Sequence, residues 1–290
     1  MNPKTLMETP LKSSGEHGIF NKNHWVKEAD EKLISAKLLR ESALRKLSEF
    51  DSLKALKETK GEALTSKEVF EILNVKDSAN KTSILILGYA IELLLKSGIV
   101  SLLINAPRKL LEKKVRAYSH DLLSIAQELH LDLSARESIL LDTLSSYIVR
   151  ETRYPVTPRP VKDYCNQSNK ITQFVSREEN FLLGVEFFNR LRTFIGNVDG
   201  TADNMKIHGR MEMEKNGYLT FRIGAELPPI VILKFCQSQI DSGVDTLDTF
   251  KDLLVEKNKL HGSMNSHLIE KHWDSIVFYR VDERSGIKKC

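Results

Sequence analysis

The chain has 290 residues, 41% of them hydrophobic and 28% charged, with a formal net charge of +4. That length suits one large domain or two modest ones, and the composition is ordinary for a soluble protein with a buried core. The mild positive charge permits contact with nucleic acid but excludes the strong basic footprint of a dedicated polyanion binder. Three cysteines, Cys165, Cys236 and Cys290, stand far apart without metal or disulfide spacing. Together with the lack of an apolar signal region before Trp25, they lead to the expectation of a cytoplasmic protein.

Residues 1–22 carry Pro, Ser, Gly and Lys without a period and read as a flexible leader. Val26, Ala29, Leu33, Ala36, Leu39, Ala43, Leu47 and Phe50 then recur at steps of three and four, which predicts a long amphipathic helix. Trp25 stands at its start as a packing anchor. A polar connector around Gly61 leads to Thr65-Ser66-Lys67-Glu68, a capping-box pattern before a short helix carrying Val69, Phe70, Ile72 and Leu73. An apolar helix over 82–104 follows, closed by Pro107. Glu92 and Lys96 sit near its centre, each costing about 2.5–3.5 kcal/mol in a bilayer, so it reads as a buried core helix and not as a membrane span.

Lys109, Lys113, Lys114 and Arg116 form a basic run. Ser119 reads as the N-cap of a helix carrying Leu122, Leu123, Ala126 and Leu129. Ser134-Ala135-Arg136-Glu137 is a capping box for the next, which Pro155, Pro158 and Pro160 terminate in a loop. Ser176-Arg177-Glu178-Glu179 caps a last long helix with the stripe Phe181, Val185, Phe188, Leu191 and Ile195.

After Gly200 the period changes to alternation. A two-residue turn at Asn216-Gly217 would oppose Glu214 to Leu219 and mix the faces. A three-residue loop, Lys215-Asn216-Gly217, opposes Met213 to Leu219 and Met211 to Phe221 and keeps one apolar face. The spacing therefore predicts the second register, with Gly217 at positive φ. A strand at Ile230 to Cys236, a helix around Leu247 to Lys257 and a strand from Ile276 to Val281 complete a small α+β module over 200–290.

The helical block, residues 23–198, resembles over residues 24–196 the HEPN superfamily of helical nucleotide-binding domains. The residues that carry the resemblance are His24-Trp25-Val26-Lys27-Glu28-Ala29-Asp30, Tyr89-Ala90-Ile91-Glu92-Leu93-Leu94-Leu95-Lys96, His120-Asp121-Leu122 and Arg153-Tyr154-Pro155. The resemblance implies a mostly α fold: an antiparallel four- or five-helix bundle, commonly a homodimer, here followed by the small α+β module. It also implies an RNA-directed protein of a bacterial defence or stress system, of the toxin–antitoxin or phage-defence kind, with metal-independent ribonuclease activity. The alternative is a non-catalytic member that binds RNA, a nucleotide or a protein and recruits a partner through 200–290. Catalytic members carry Arg and His four to six residues apart on a late helix. Arg177, Arg190 and Arg192 lie on the last helix here with no His at that distance, and Arg116 lies one residue too close to His120.

The candidate catalytic residues are His120, Arg153 and Glu92. His120 suits a general base acting on a ribose 2′-hydroxyl. The alternative is that His120 and Asp121 favour the helix start. Glu92 would orient His120 or pair with Arg153 across the bundle; the plainer reading is a local pair with Lys96. Arg150, Arg116, Lys113 and Lys114 are the candidate phosphate contacts, and Arg150 and Arg153 bring guanidinium geometry to that task. His261, His267 and His272 lack zinc spacing, and no Walker loop, dinucleotide fingerprint or Gly-x-Ser-x-Gly elbow is present. No metal and no cofactor are expected.

Overall fold

The computed structural model describes residues 20–151, 169, 171–213, 216–261, 263–282 and 286–290. Most of the predicted leader, Arg153 with Tyr154 and Pro155, Pro158, Pro160, Cys165 and the loop residues Glu214 and Lys215 lie outside them.

Helix α1 (Lys22–Thr59) opens where Asn21 accepts a hydrogen bond from the Asn23 N–H at 2.9 Å. The helix therefore begins inside the predicted leader. Phe20 packs against the core, with the Arg108 guanidinium 5.6 Å over its ring. The stripe Val26, Ala29, Leu33, Ala36 and Ala43 is buried as its spacing requires. Gly61, at φ +70°, takes the left-handed conformation that ends the helix region and turns the chain. Thr65 and Glu68 then form the reciprocal capping box: the Thr65 N–H donates to Glu68 at 2.8 Å and the Glu68 N–H to Thr65 at 3.3 Å.

Helix α2 (Ser66–Leu102) is one helix where the pattern predicts two. No Gly or Pro falls between Leu73 and Ile84 to break it, and tertiary contacts override the weak propensity of Asn and Ser there. By length and composition α2 is able to cross a membrane, yet 72% of its most apolar 18-residue window is buried inside the fold. It is the central core helix. Arg40, 3% exposed, ties α1 to α2 through Asn80 at 2.8 Å and reaches Glu178 at 2.7 Å and the Val175 carbonyl at 2.9 Å.

Helices α3 (Arg108–Ala117), α4 (Leu122–Glu128), α5 (Ala135–Ser146, running into a π turn at Tyr147–Glu151) and α6 (Glu178–Asn197) pack around α2. The capping box at Ser134 and Glu137 forms as the sequence predicts. Two predicted caps do not. Ser119 has φ +49°, incompatible with the extended N-cap conformation, and Asp121 caps α4 instead. The Ser176 hydroxyl donates to the Thr172 carbonyl at 2.7 Å within the preceding turn, which leaves α6 without a side-chain cap.

The C-terminal sheet has strands β1 (Ile207–Glu212), β2 (Tyr218–Ile223), β3 (Ile230–Lys234), β4 (Val277–Asp282) and β5 (Gly286–Lys289), in that spatial order. Only β3 and β4 are parallel, joined by a crossover through α7 (Gln237–Asp241), α8 (Leu247–His261) and α9 (Met264–Lys271). The strand β5 and helices α7 and α9 carry too short a pattern to be read from sequence. The hairpin register differs from the predicted one: Met211 faces Leu219 and Gly209 faces Phe221. The shift is by two residues, so the same side chains stay on the apolar face. Positive φ falls on Asn216 (+70°) and not on Gly217.

Alternation explains why the whole of β2 is buried. Leu219, Phe221 and Ile223 pack with Val231, Leu233, Phe250, Leu254 and Ile269 under α8 and α9. The opposite sheet face, with Tyr218, Ile230, Ile232, Tyr279, Val281 and Ile287, joins the core of the helical block. Arg222 lies on that face fully buried, donating to the carbonyls of Val198, Gly224 and Leu227. Burial pushes its guanidinium down to about 10, with Asp199 pulling the other way.

Asp199 clamps the junction between helices and sheet. Lys22 lies 2.5 Å from one carboxylate oxygen and Lys206 2.9 Å from the other. Burial raises the Asp199 carboxyl, but hydrogen bonds from the two ammoniums, with their charge, outweigh it and hold the group below its ordinary range. A depressed folded value means the contribution exists above the unfolded value and disappears as pH falls through the folded one. Asp199→Asn is therefore expected to lower neutral-pH stability by about 1 kcal/mol, the scale of a half-exposed pair. The denaturation midpoints of the two proteins should converge as the pH falls below the ordinary carboxylate range.

Candidate functional site

The turn between α3 and α4 presents His120 to the middle of α2. Asp121 is committed to the cap, accepting from the Ser124 N–H at 3.0 Å and the Ser124 hydroxyl at 2.6 Å. His120 has a different environment. Its Nδ1 lies 2.8 Å from one oxygen of Glu92, and the Tyr89 ring stands 6.2 Å away at a 60° tilt. The other Glu92 oxygen takes Lys96 Nζ at 2.6 Å, and the same ammonium donates to the Ser119 carbonyl at 2.8 Å.

Two of the three alternatives posed by the sequence at Glu92 coexist, and the third, a pair with Arg153, lies outside the described residues. The local i,i+4 pair with Lys96 is present, and so is an interhelical contact with His120. Side-chain exposures of 8% for Glu92, 11% for Lys96 and 15% for His120 place the group at the edge of the core. Lys96 has a second task that spacing alone does not announce. It fixes the left-handed Ser119, a conformation costing roughly 1–2 kcal/mol for a non-glycine residue, and so fixes the turn that carries His120.

The structure does not gather every predicted site residue around this pair. Arg153 lies outside the described residues, and Arg150 lies on the π turn after α5. Arg116 is exposed and pairs with Glu112 at 2.6 Å. Lys113 runs along Gly286 of β5. Lys114 turns towards the sheet, 3.5 Å from Glu128 and 4.9 Å over the Tyr118 ring. There Glu128 accepts from the Tyr279 hydroxyl at 2.5 Å, while the Tyr118 hydroxyl lies beside the same carboxylate outside hydrogen-bond geometry. Burial and the Glu128 charge push both phenols far above their ordinary range. Sequence reading missed this cluster because Tyr279 lies on a strand remote in sequence from α3 and α4.

The arginines of α6 are paired with carboxylates of neighbouring helices. Arg190 bonds Glu137 at 2.6 Å and Arg192 bonds Asp30 at 3.1 Å, tying α6 to α5 and α1. No group of three or more His, Cys, Asp or Glu side chains able to hold a metal occurs among the described residues.

The Glu92–Lys96 pair makes a stability prediction. Removing one member of a buried pair strands the other, at a cost of about 3–5 kcal/mol, whereas replacing both by apolar side chains is often close to neutral. Glu92→Leu should therefore be strongly destabilised in chemical denaturation, and Glu92→Leu with Lys96→Met should recover part of the loss, the remainder being the donor lost to the Ser119 carbonyl. A double variant no better than the single one would refute the pair as the reason for the loss. No protein-family model, curated protein or solved structure matches the chain.

Proposed function

We propose that the chain is a HEPN-like, RNA-directed protein of a bacterial defence or stress system, with His120 as the base of a metal-independent ribonuclease. The observation that supports this reading is the 2.8 Å contact between His120 Nδ1 and Glu92 at the edge of the core. When Glu92 accepts from Nδ1–H, the lone pair of the imidazole is on Nε2 and the ring is held in one orientation. That nitrogen takes the proton of a ribose 2′-hydroxyl as the 2′-oxygen attacks the adjacent phosphorus. The bond from phosphorus to the 5′-oxygen breaks, and the leaving oxygen takes a proton from solvent. Arg150 and Arg153 are proposed to meet the phosphate charge that develops in this step.

A second reading is supported by the arginines of α6. Arg190 and Arg192 are engaged in ion pairs with Glu137 and Asp30. The late helix therefore offers no unengaged Arg–His couple of the catalytic type. In this reading the protein is a homodimer that binds RNA, a nucleotide or a protein without cutting, and recruits a partner through its C-terminal sheet.

Purified protein incubated with single-stranded RNA in excess chelator distinguishes the two. Cleavage that falls about 100-fold or more in His120→Ala supports the ribonuclease reading, in line with the contribution of general acid–base catalysis. Intact RNA, or cleavage undiminished in His120→Ala, overturns it. Salt-sensitive binding to intact RNA supports the second reading.

A further inference from the structure

The sheet ends on one side at β1, and among the described residues β2 is the only strand paired with it. Ile207, His208, Arg210 and Glu212 are exposed, so the outer edge of β1 faces solvent. Such an edge is a template for a further strand. The hairpin determines which groups lie on it. The Met213 N–H donates to the Gly217 carbonyl at 2.8 Å, which makes these two a hydrogen-bonded pair. Hydrogen-bonded and non-hydrogen-bonded pairs alternate along an antiparallel ladder. Met211, Gly209 and Ile207 therefore direct their main-chain groups to β2, and Glu212, Arg210, His208 and Lys206 direct theirs outward.

We propose that this edge pairs with the same edge of a second copy of the chain, antiparallel about a two-fold axis at Gly209. The proposal places the contact that the homodimer of the second reading above requires, and it does not depend on RNA. The pairing is isologous, and every outward-facing residue meets another outward-facing residue, as a ladder needs.

Charge selects the register. With the axis at Gly209, Lys206 stands opposite the second copy's Glu212. Arg210 stands opposite its His208, whose Nδ1 accepts from the Asn105 amide at 2.9 Å. Burial, with the charges of Lys206 and Arg222, holds that imidazole below its ordinary range, so it meets the guanidinium uncharged. An axis at His208 would set Lys206 against Arg210, and an axis at Arg210 would bring two guanidiniums together; like charges directly opposite are destabilising. Ile207, 37% exposed, stands opposite the second copy's Met211 in a non-hydrogen-bonded pair, where side chains are closest. Gly209 leaves no side chain at the axis to hold the copies apart. Within each copy Arg210 bonds Glu212 at 2.6 Å and lies 4.1 Å over the Tyr218 ring, so the charges are in place before the copies meet. The opposite edge of the sheet lacks this self-complementarity: β5 ends in the exposed Lys288 and Lys289, charges of one sign.

A single strand edge buries little area, so the dimer is weak and reversible. Sedimentation equilibrium of the full chain should show a monomer–dimer equilibrium, with association about ten-fold or more weaker in Arg210→Pro. Proline there removes an outward N–H and no bond to β2, and edge strands tolerate it. Far-ultraviolet circular dichroism checks that the variant is folded. A second experiment reads the register. In a Cys165→Ser, Cys290→Ser background, Ile207→Cys protein mixed with Met211→Cys protein should form a disulfide-linked dimer on oxidation, well ahead of either protein alone. A chain that stays monomeric up to about 1 mM overturns the proposal. So does a dimer indifferent to Arg210→Pro, or one in which the mixed pair links no faster than the separate proteins. A dimer that links as expected but leaves RNA unbound and intact keeps the edge contact and removes the RNA-directed reading; RNA binding by a chain that stays monomeric does the reverse.

Discussion

A carboxylate inside an apolar helix is the constraint around which the rest of the molecule is arranged. Glu92 sits in the stretch of α2 surrounded by neighbouring elements, where an unpaired charge costs several kcal/mol. Two partners answer it from different directions: Lys96 from the next turn of the same helix and His120 from the α3–α4 turn. Each partner does further work. The Lys96 ammonium holds the Ser119 carbonyl, and the Ser119 backbone aims the His120 ring. Desolvation of one residue thus sets the path of a loop that local propensity would not choose. The buried Arg40 plays the same part at the other end of the helical block, drawing α1, α2 and the start of α6 to one guanidinium.

Much of the helical part was legible because its signals are local. Stripes at helical spacing and the capping boxes at Thr65 and Ser134 depend on residues within a turn or two of one another. The errors came where a distant contact decided the outcome. A single α2 replaces two helices because packing stabilises the stretch around Asn80. Ser119 cannot cap because its backbone is held left-handed. In the hairpin, alternation identified the apolar face, but a shift by two residues preserves that face, so the pattern was blind to it. The Glu92–His120 contact was legible only as one of several options, since nothing in the spacing of residues 92 and 120 sets their distance in space.

The sheet is joined to the helices by more than a linker. One face of β2, β3 and β4 shares the helical core, and the clamp of Lys22 and Lys206 on Asp199 closes the junction at its polar edge. Fully buried Arg222 is the most demanding group there. Three main-chain carbonyls meet its guanidinium where a carboxylate would be the usual partner. Its tolerance depends on the chain around Val198, Gly224 and Leu227 keeping those carbonyls turned inward.

The parallel pairing of β3 with β4 carries a consequence for the order of assembly. Between them the chain must lay down α7, α8 and α9, so β4 and β5 reach the sheet only after a long excursion. Tyr279, Val281 and Ile287 are nevertheless part of the core against which the helices of residues 22–197 are packed. During synthesis those helices emerge first and wait with an uncovered greasy flank until the late strands arrive. The protein is therefore most exposed to sticking to its neighbours on the ribosome, in the interval before β4 and then β5 add to the open edge of β3.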